Sequence, residues 1–153
     1  MRLLCDRMLG TLARWLRFTG HDVHYPTTDM EDEELIEISL DESRTLVTRD
    51  RALAQKVKGS ILITSTELEE QLRQVLEVIG EPESGALTRC GVCNSLLEHV
   101  EKAKVRGIVP ELVFERQEGF MRCALCDKIY WQGSHFDRIM KRIEGRKKDS
   151  GPT

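Results

Sequence analysis

The sequence predicts an α/β protein in which a parallel sheet flanked by helices is followed by a small cysteine-bearing module and a final helix. Two observations support this fold. In the first half, short apolar runs alternate with segments of helical periodicity, at intervals typical of strand–helix–strand crossovers. In the second half, four cysteines form two Cys-x-x-Cys pairs, Cys90/Cys93 and Cys123/Cys126, which is the ligand set of a closed four-cysteine zinc ribbon.

The first strand is predicted at Arg2–Cys5 and ends at Asp6. Apolar residues at helical spacing from Met8 to Leu16 then predict a helix, which Gly20 ends. The same periodicities predict three more strands and three more helices in this half. The strands are Val23–Tyr25, Thr45–Thr48 and Ile61–Ile63, and the helices are Asp32–Ser43, Ala52–Val57 and a segment from Thr66 to Ile79.

Composition divides the chain into three parts. The stretch 80–85, with Pro82 and Ser84 between glycines, is the expected boundary of the sheet domain. Residues 1–85 then form that domain, 86–133 the zinc ribbon, and 134–153 a C-terminal helix with a basic tail.

Three local features are predicted in more detail. Thr66 and Glu69 are expected to form a capping box at the start of their helix. Within the ribbon, Val105–Val109 and Leu112–Phe114 have the composition of β-strands. Ser134 is expected to cap the last helix, whose apolar side is expected to carry Phe136, Ile139, Met140 and Ile143.

The charge is distributed unevenly between the two halves. Residues 1–88 hold 17 acidic and 10 basic side chains, whereas residues 89–153 hold 9 acidic and 13 basic ones. An acidic half can gather cations and a basic half can bind a polyanion. Ordinary scatter of surface charge is the alternative.

Disulfide bonds are the alternative to zinc for the two cysteine pairs. No secretory signal precedes the first strand, and Cys5 would be left as an odd thiol. No apolar run approaches the roughly 20 residues of a membrane helix. We therefore expect a cytoplasmic protein without a membrane partner, whose Zn²⁺ is structural because protein ligands fill all four positions.

Acidic residues stand where two of the predicted strands end. Asp6 follows the first strand, and Asp50 follows the third strand. An acidic cluster from Asp29 to Glu34 lies at the start of the helix after the second strand. Functional residues of open parallel sheets gather beyond the carboxyl ends of the strands. Converging carboxylates suit Mg²⁺ or Mn²⁺. The alternative is that these acids cap helices or complement helix dipoles.

Four segments of the chain resemble the mut-7 C-terminal RNase domain family, whose members are PIN-like nuclease domains with an appended zinc ribbon. The opening block is the most extensive and reads LCDRMLGTLARWLR. The segments are Leu4–Arg17, Asp32–Leu35, Thr48–Leu53 and Tyr130–His135, and both cysteine pairs match as well.

This resemblance implies a PIN-like sheet whose acidic pocket binds Mg²⁺ or Mn²⁺ and cuts RNA. Asp6, Asp32 and Asp50 match the acids of that pocket and are the predicted catalytic metal ligands. A fourth acid is common in such sites, and Glu67 and Asp137 are candidates for it. PIN-like domains often pair, so a homodimer is a further expectation.

Basic residues near these acids are candidate substrate ligands. Arg7, Arg14 and Arg17 follow Asp6, and Arg49 precedes Asp50. Guanidinium groups beside a metal site can hold phosphates. His135, at the start of the last helix, could contact a phosphate or carry a proton. Solvated helix faces and salt bridges are the alternative roles.

The predicted function is that of a divalent-metal-dependent ribonuclease, with structured RNAs such as tRNA or rRNA as candidate substrates. An aromatic content of 5% favours recognition of RNA shape and backbone over stacking of unpaired bases. The alternatives are a non-catalytic RNA- or ribosome-binding zinc-ribbon module and a protein-interaction adaptor.

Overall fold

The computed structural model describes residues 1–81 and 85–149, the segment 144–149 as backbone only. All strands predicted for the first half are present and form one parallel sheet, so the α/β fold is confirmed. These strands are β1 (Arg2–Cys5), β2 (Asp22–His24), β3 (Thr45–Thr48) and β4 (Ile61–Leu62). The flanking helices are α1 (Gly10–Phe18), α2 (Asp32–Asp41), α3 (Arg51–Lys56) and α4 (Leu68–Ile79), with a 3₁₀ turn at Arg7–Leu9 before α1.

Strand β1 lies in the interior of the sheet, whose spatial order is β2-β1-β3-β4. Leu3 pairs with Val23 on one side and with Thr45 on the other. Leu3, Leu4 and Cys5 are fully buried, because helices cover both faces of a parallel sheet. The carboxyl end of β1 therefore opens at the centre of the sheet edge.

The alternation of side chains along β1 divides the domain into two cores. Leu3 and Cys5 belong to the larger apolar cluster, which includes residues of α1 and α4. Leu4 faces the opposite way and packs with Leu35 of α2 and Leu53 of α3. This two-fold period of strand side chains sets which helices lie on each face.

The final helix, α6 (Ser134–Asp149), is part of the larger core. Its predicted apolar side is confirmed, because Phe136, Ile139 and Ile143 are buried in that cluster and Met140 packs against it. Arg142 donates a hydrogen bond of 2.8 Å to Glu69 in the first turn of α4, so α6 runs towards the carboxyl end of the sheet. The last residues of the predicted basic tail, 150–153, lie outside the described residues. Across the described part of the chain, α6 included, the helices are too short or too polar to cross a membrane.

The ribbon contains a second, antiparallel sheet. Its strands β5 (Glu98–Val100), β6 (Phe120–Arg122) and β7 (Ile129–Tyr130) lie in chain order. Val105, Val109 and Phe120 form a small core beneath them. The ribbon therefore has its own apolar support in addition to the cysteines.

The prediction of β-strands at Val105–Val109 and Leu112–Phe114 is wrong. The first segment follows a 3₁₀ turn (Lys102–Val105), and the second lies in helix α5 (Glu111–Arg116). Gly107 has φ +81°, which interrupts an extended run. Val105 and Val109 instead both turn towards Phe120, so tertiary packing overrides the strand preference of β-branched residues.

The predicted capping box of Thr66 and Glu69 is also wrong. Helix α4 begins at Leu68, and the position before it is Glu67, whose side chain makes no capping hydrogen bond. The amide of Glu67 donates to Ser65 Oγ at 3.0 Å instead. Ser65 therefore closes the turn before α4, and Thr66 does not occupy the capping position.

Candidate active site and metal centre

The strand order creates a switch point between β1 and β3. From β1 the chain passes to β2 on one side, and it then crosses back to β3 on the other. The connections that leave β1 and β3 turn in opposite directions, and open α/β sheets bind ligands in the crevice at such points. Asp6 follows β1 directly, and Asp50 stands two residues beyond the end of β3.

Asp6 is a buried carboxylate that the chain holds in one orientation. Its residue is 6% exposed. Oδ1 accepts a hydrogen bond of 2.9 Å from the amide of Met8, and Oδ2 accepts one from the hydroxyl of Thr48. No ion pair to Asp6 occurs within the described residues. Buried charges in proteins are usually paired or bound to a metal.

Thr48 links Asp6 to the loop that carries Asp50. The Thr48 side chain is fully buried, and its Oγ1 accepts a hydrogen bond of 3.0 Å from the amide of Asp50. Asp50 itself is exposed and caps α3, where its Oδ1 accepts from the amides of Ala52 and Leu53 at 2.9 and 3.2 Å. The capping alternative is thus present at Asp50, while its Oδ2 makes no hydrogen bond to any described residue.

Asp32 begins α2, the helix that follows β2, and therefore starts at the same end of the sheet. Its Oδ2 is 4.0 Å from Nζ of Lys56. Within residues 1–81 and 85–143, only the four ribbon cysteines bring three or more potential metal ligands within 4.8 Å of one another. The structure thus joins Asp6 and Asp50 through Thr48, and it does not gather Asp32 into a tight cage with them.

The donor set at this edge suits a hard cation. Asp6 and Asp50 offer carboxylate oxygens, and Mg²⁺ commonly binds through one or two carboxylates while it keeps several waters. Such an ion does not require three carboxylates in mutual contact. Of the two candidates for a fourth acid, Glu67 precedes α4 at this end of the sheet. Asp137 lies in the first turn of α6 and accepts a hydrogen bond of 2.8 Å from Gln132.

The basic residues singled out from the sequence have different surroundings. Arg7 pairs with Asp29. Arg14 is exposed and Arg49 half-buried, and neither has an ion pair or side-chain hydrogen bond among the described residues. Arg17 is buried, and among the described residues its side chain bonds only to main-chain carbonyls, which contradicts its candidate role as a phosphate ligand.

Replacing Thr48 by valine should lower the free energy of unfolding by about 2 kcal/mol, because the buried oxygen of Asp6 and the amide of Asp50 both lose a partner. The matched control is Thr45→Val in the same strand, where the hydroxyl makes no hydrogen bond to a described residue. Urea denaturation measures both. Equal stability of the two variants would contradict the bridging role of Thr48.

The four ribbon cysteines are clustered and are not joined by disulfides. All are free thiols, and their Sγ atoms lie within 4.8 Å of one another. Sγ of Cys93 and Sγ of Cys123 are 3.5 Å apart. Bonds of 2.3 Å to a tetrahedral Zn²⁺ place sulfurs about 3.8 Å apart, so the cluster fits that ion.

The two cysteine turns share one backbone conformation. Asn94 and Asp127, which follow the second cysteine of each pair, have φ +70° and +59°. In each turn the amide of the first cysteine bonds to the carbonyl five residues on, at 2.8 and 2.9 Å. Each turn therefore presents its two thiols on one side, as the sequence predicted for a zinc site.

The protonation state of Cys93 also favours a metal. Burial alone would raise the pKa of Cys93, but hydrogen bonding with Ser95, whose Oγ lies 3.2 Å from the thiol sulfur, outweighs it. The resulting pKa is about 6. A thiolate is the form that binds metals, so this lowering of the pKa favours metal binding.

The first cysteine turn is fastened to the edge of the parallel sheet. Arg17 donates to the carbonyls of Gly91 and Val92 at 3.0 and 3.1 Å, and to the carbonyl of Val23 at 3.0 and 2.8 Å. The side-chain oxygen of Asn94 accepts from the amide of Val23 at 3.0 Å. Val23 lies in the edge strand β2, so the ribbon covers polar groups that would otherwise remain open there.

Sequence reasoning missed the roles of Thr48, Arg17 and Asn94. A residue following the second cysteine of a turn often needs positive φ, and asparagine tolerates it. That signal could have marked Asn94 as a turn residue, although its contact with Val23 lies 71 positions away. His135, predicted to bind substrate, is exposed, and its ring lies edge-on to Trp15 with centroids 5.8 Å apart.

The fold and the site together define a class of protein. Its members have a parallel α/β domain with carboxylates at the switch point, joined to a four-cysteine module. Comparison with protein-family models matches residues 1–143 to the Mut7-C RNAse domain. The chain belongs to the Mut7-C RNAse domain family, which confirms the resemblance seen in the sequence. No curated protein and no solved structure matches it. The family's description suggests a nuclease-like role.

Proposed function

We propose that the protein is a divalent-metal-dependent ribonuclease that hydrolyses RNA phosphodiester bonds at the edge formed by Asp6, Asp50 and Asp32. The observation that carries this proposal is the carboxylate of Asp6. It is buried at the switch point, held by Met8 and Thr48, and lacks a cationic partner among the described residues. Membership of a family described as an RNAse domain supports it.

Asp6 and Asp50 are the proposed ligands of Mg²⁺ or Mn²⁺, with Asp32 nearby at the start of α2. A bound divalent ion orients a water, lowers its pKa and neutralises charge that develops on the phosphate. Thr48 fixes the orientation of the Asp6 carboxylate and the position of the Asp50 loop. The chain therefore contributes preorganised oxygen ligands at a crevice of the sheet.

The proposed substrate is RNA, held through its phosphates by arginines near this edge. Arg49 stands between Thr48 and Asp50, and Arg14 projects from α1. Both are without ion-pair partners in the described part of the chain, so their guanidinium groups are available. Arg7 can contribute as well, although it must share its charge with Asp29. Phosphate contacts of this kind make binding weaken as salt increases.

The Asp6→Asn variant should lose cleavage by about 100-fold or more, because one preorganised charged group at the reacting centre is removed. A mixed panel of structured and single-stranded RNAs is incubated with Mg²⁺ or Mn²⁺ and the products are separated by size. The matched control is Asp41→Asn at the exposed end of α2, which should cleave like the unmodified protein. Zinc content and thermal unfolding are measured for both variants, so that a folding defect is recognised.

A non-catalytic RNA- or ribosome-binding module is the second candidate. It is favoured by the capping role of Asp50 and by the absence of a three-carboxylate cage in the described residues. RNA binding by the unmodified protein without any metal-dependent cleavage would support this candidate. Cleavage that is equal in Asp6→Asn and the unmodified protein would overturn the proposed active site.

A further inference from the structure

Aromatic side chains are few in this chain, yet most of them line one open pocket. Five of the eight phenylalanine, tyrosine and tryptophan residues meet there, together with a histidine. The pocket lies where α1, the end of the ribbon and the start of α6 come together, and its volume is about 210 Å³. Its aromatic lining consists of Trp15, Phe18, Tyr130, Trp131, His135 and Phe136.

Two of these rings belong to the larger core, and the others form the open walls of the pocket. Trp15 and Phe136 are buried and parallel, with centroids 5.7 Å apart and an interplanar angle of 5°. Phe18 meets Tyr130 edge-on at 5.9 Å, and both are half-buried. His135 is exposed at the rim. Flat faces and edges of this kind can receive a planar ring by stacking.

Two arginines stand beside lining residues of the pocket. Arg14 lies beside Phe18, since both approach the position that a Cβ on Gly91 would occupy, at 3.0 and 2.7 Å. Arg138 follows His135 by three residues and shares its side of α6. Neither arginine has an ion pair or side-chain hydrogen bond within the described residues. An occupant that joins a planar ring to a negative charge would complement this arrangement.

We infer that the pocket binds the base of one unpaired nucleotide of the RNA substrate, with the adjoining phosphates held by Arg14 and Arg138. The inference rests on the proposed function for the identity of the substrate as RNA. A pocket of about 210 Å³ is smaller than the roughly 300–1,000 Å³ of typical ligand pockets. It therefore has room for a single ring system.

The pocket and the acidic edge are connected by helix α1. Trp15 lies about 8 Å along the helix axis from Gly10, which follows the turn after Asp6. Arg14 belongs to the same helix. A strand anchored in the pocket by one base can therefore run along α1 to the switch point within a few nucleotides. The substrate would therefore have at least one unpaired nucleotide near the cut. The low aromatic content of the chain had instead favoured recognition of RNA shape and backbone.

The test uses intrinsic fluorescence, because both tryptophans of the chain, Trp15 and Trp131, line the pocket. A short oligoadenylate is titrated into the full-length, zinc-loaded protein without added Mg²⁺ or Mn²⁺, so cleavage is not needed for the readout. The control ligand is an abasic strand with the same number of phosphates. We expect fluorescence quenching with the oligoadenylate and about 10-fold weaker binding of the abasic strand, since stacking contributes most of the difference.

The matched protein variants are His135→Ala at the rim and His99→Ala, an exposed histidine in β5 that does not line the pocket. His135→Ala should weaken oligoadenylate binding about 5-fold and leave abasic binding unchanged, whereas His99→Ala should alter neither. Equal affinity for the two strands, binding without quenching, or no binding at all would overturn the base pocket. The ribonuclease proposal fails separately if oligoadenylate quenches the fluorescence of the protein but the protein cleaves no RNA with either metal.

Discussion

Replacing Arg17 by methionine is expected to lower the free energy of unfolding by about 3–5 kcal/mol. Methionine retains much of the aliphatic stem but removes the guanidinium group. The carbonyls of Val23, Gly91 and Val92 then lose their donor. A buried acceptor left without a partner costs about 1–3 kcal/mol, and the loss spreads over both modules. Urea denaturation of the zinc-loaded protein measures the change.

The matched control is Arg14→Met in the same helix. Arg14 is exposed and makes no side-chain hydrogen bond within the described residues, so its loss should change stability by less than about 0.5 kcal/mol. An Arg17→Lys variant should recover only part of the stability, because one ammonium group cannot reproduce the fork of donors. Equal stability of the two methionine variants would show that Arg17 does not hold the ribbon to the sheet.

Replacing Cys123 by serine is expected to abolish zinc binding and unfold the ribbon. Cys123 is buried, and its sulfur lies among the other three ribbon thiols. A serine hydroxyl stays protonated at neutral pH and does not replace a thiolate ligand. Structural zinc sites supply about 10–16 kcal/mol of apparent binding free energy, which exceeds the stability of a small module. Elemental analysis and hydrogen exchange over residues 86–133 measure the two losses.

The control for this variant is Cys5→Ala. Cys5 is fully buried in β1, and burial raises the pKa of its thiol to about 12, so it remains protonated. The Cys5→Ala protein should retain one zinc ion per chain and a protected ribbon. The assignment of a structural zinc site fails if freshly purified, reduced protein contains no zinc, or if Cys123→Ser retains it.

The position of the candidate active site could be predicted because it depends on local patterns. Arg2–Cys5 and Thr45–Thr48 are short apolar runs that end beside an acid, and both form strands. Parallel strands place their carboxyl ends at one edge. The approach of Asp6 to the Asp50 loop follows from those two facts, without knowledge of any particular contact.

The contacts that hold the site and the ribbon depend on tertiary structure. Arg17 reaches carbonyls 74 and 75 positions away, and no spacing rule identifies such a partner. Threonine is an ordinary strand residue, so the sequence does not mark Thr48 as special. Its hydroxyl bonds to Asp6 only because β1 lies beside β3. The prediction of strands around Pro110 is wrong for a related reason, since packing against Phe120 decides the conformation of these segments.

The contribution of α6 to the larger core imposes an order on folding. The sheet domain lacks one wall until Phe136, Ile139 and Ile143 are available, although its strands end near residue 62. During synthesis one face of the sheet therefore stays partly exposed to solvent until the ribbon and α6 have been made. Loop closure becomes costlier as the intervening chain lengthens. A metal held by the two cysteine turns would shorten that loop, and Arg17 fastens its near end to β2. Such a metal would thereby help the last helix to reach the first domain.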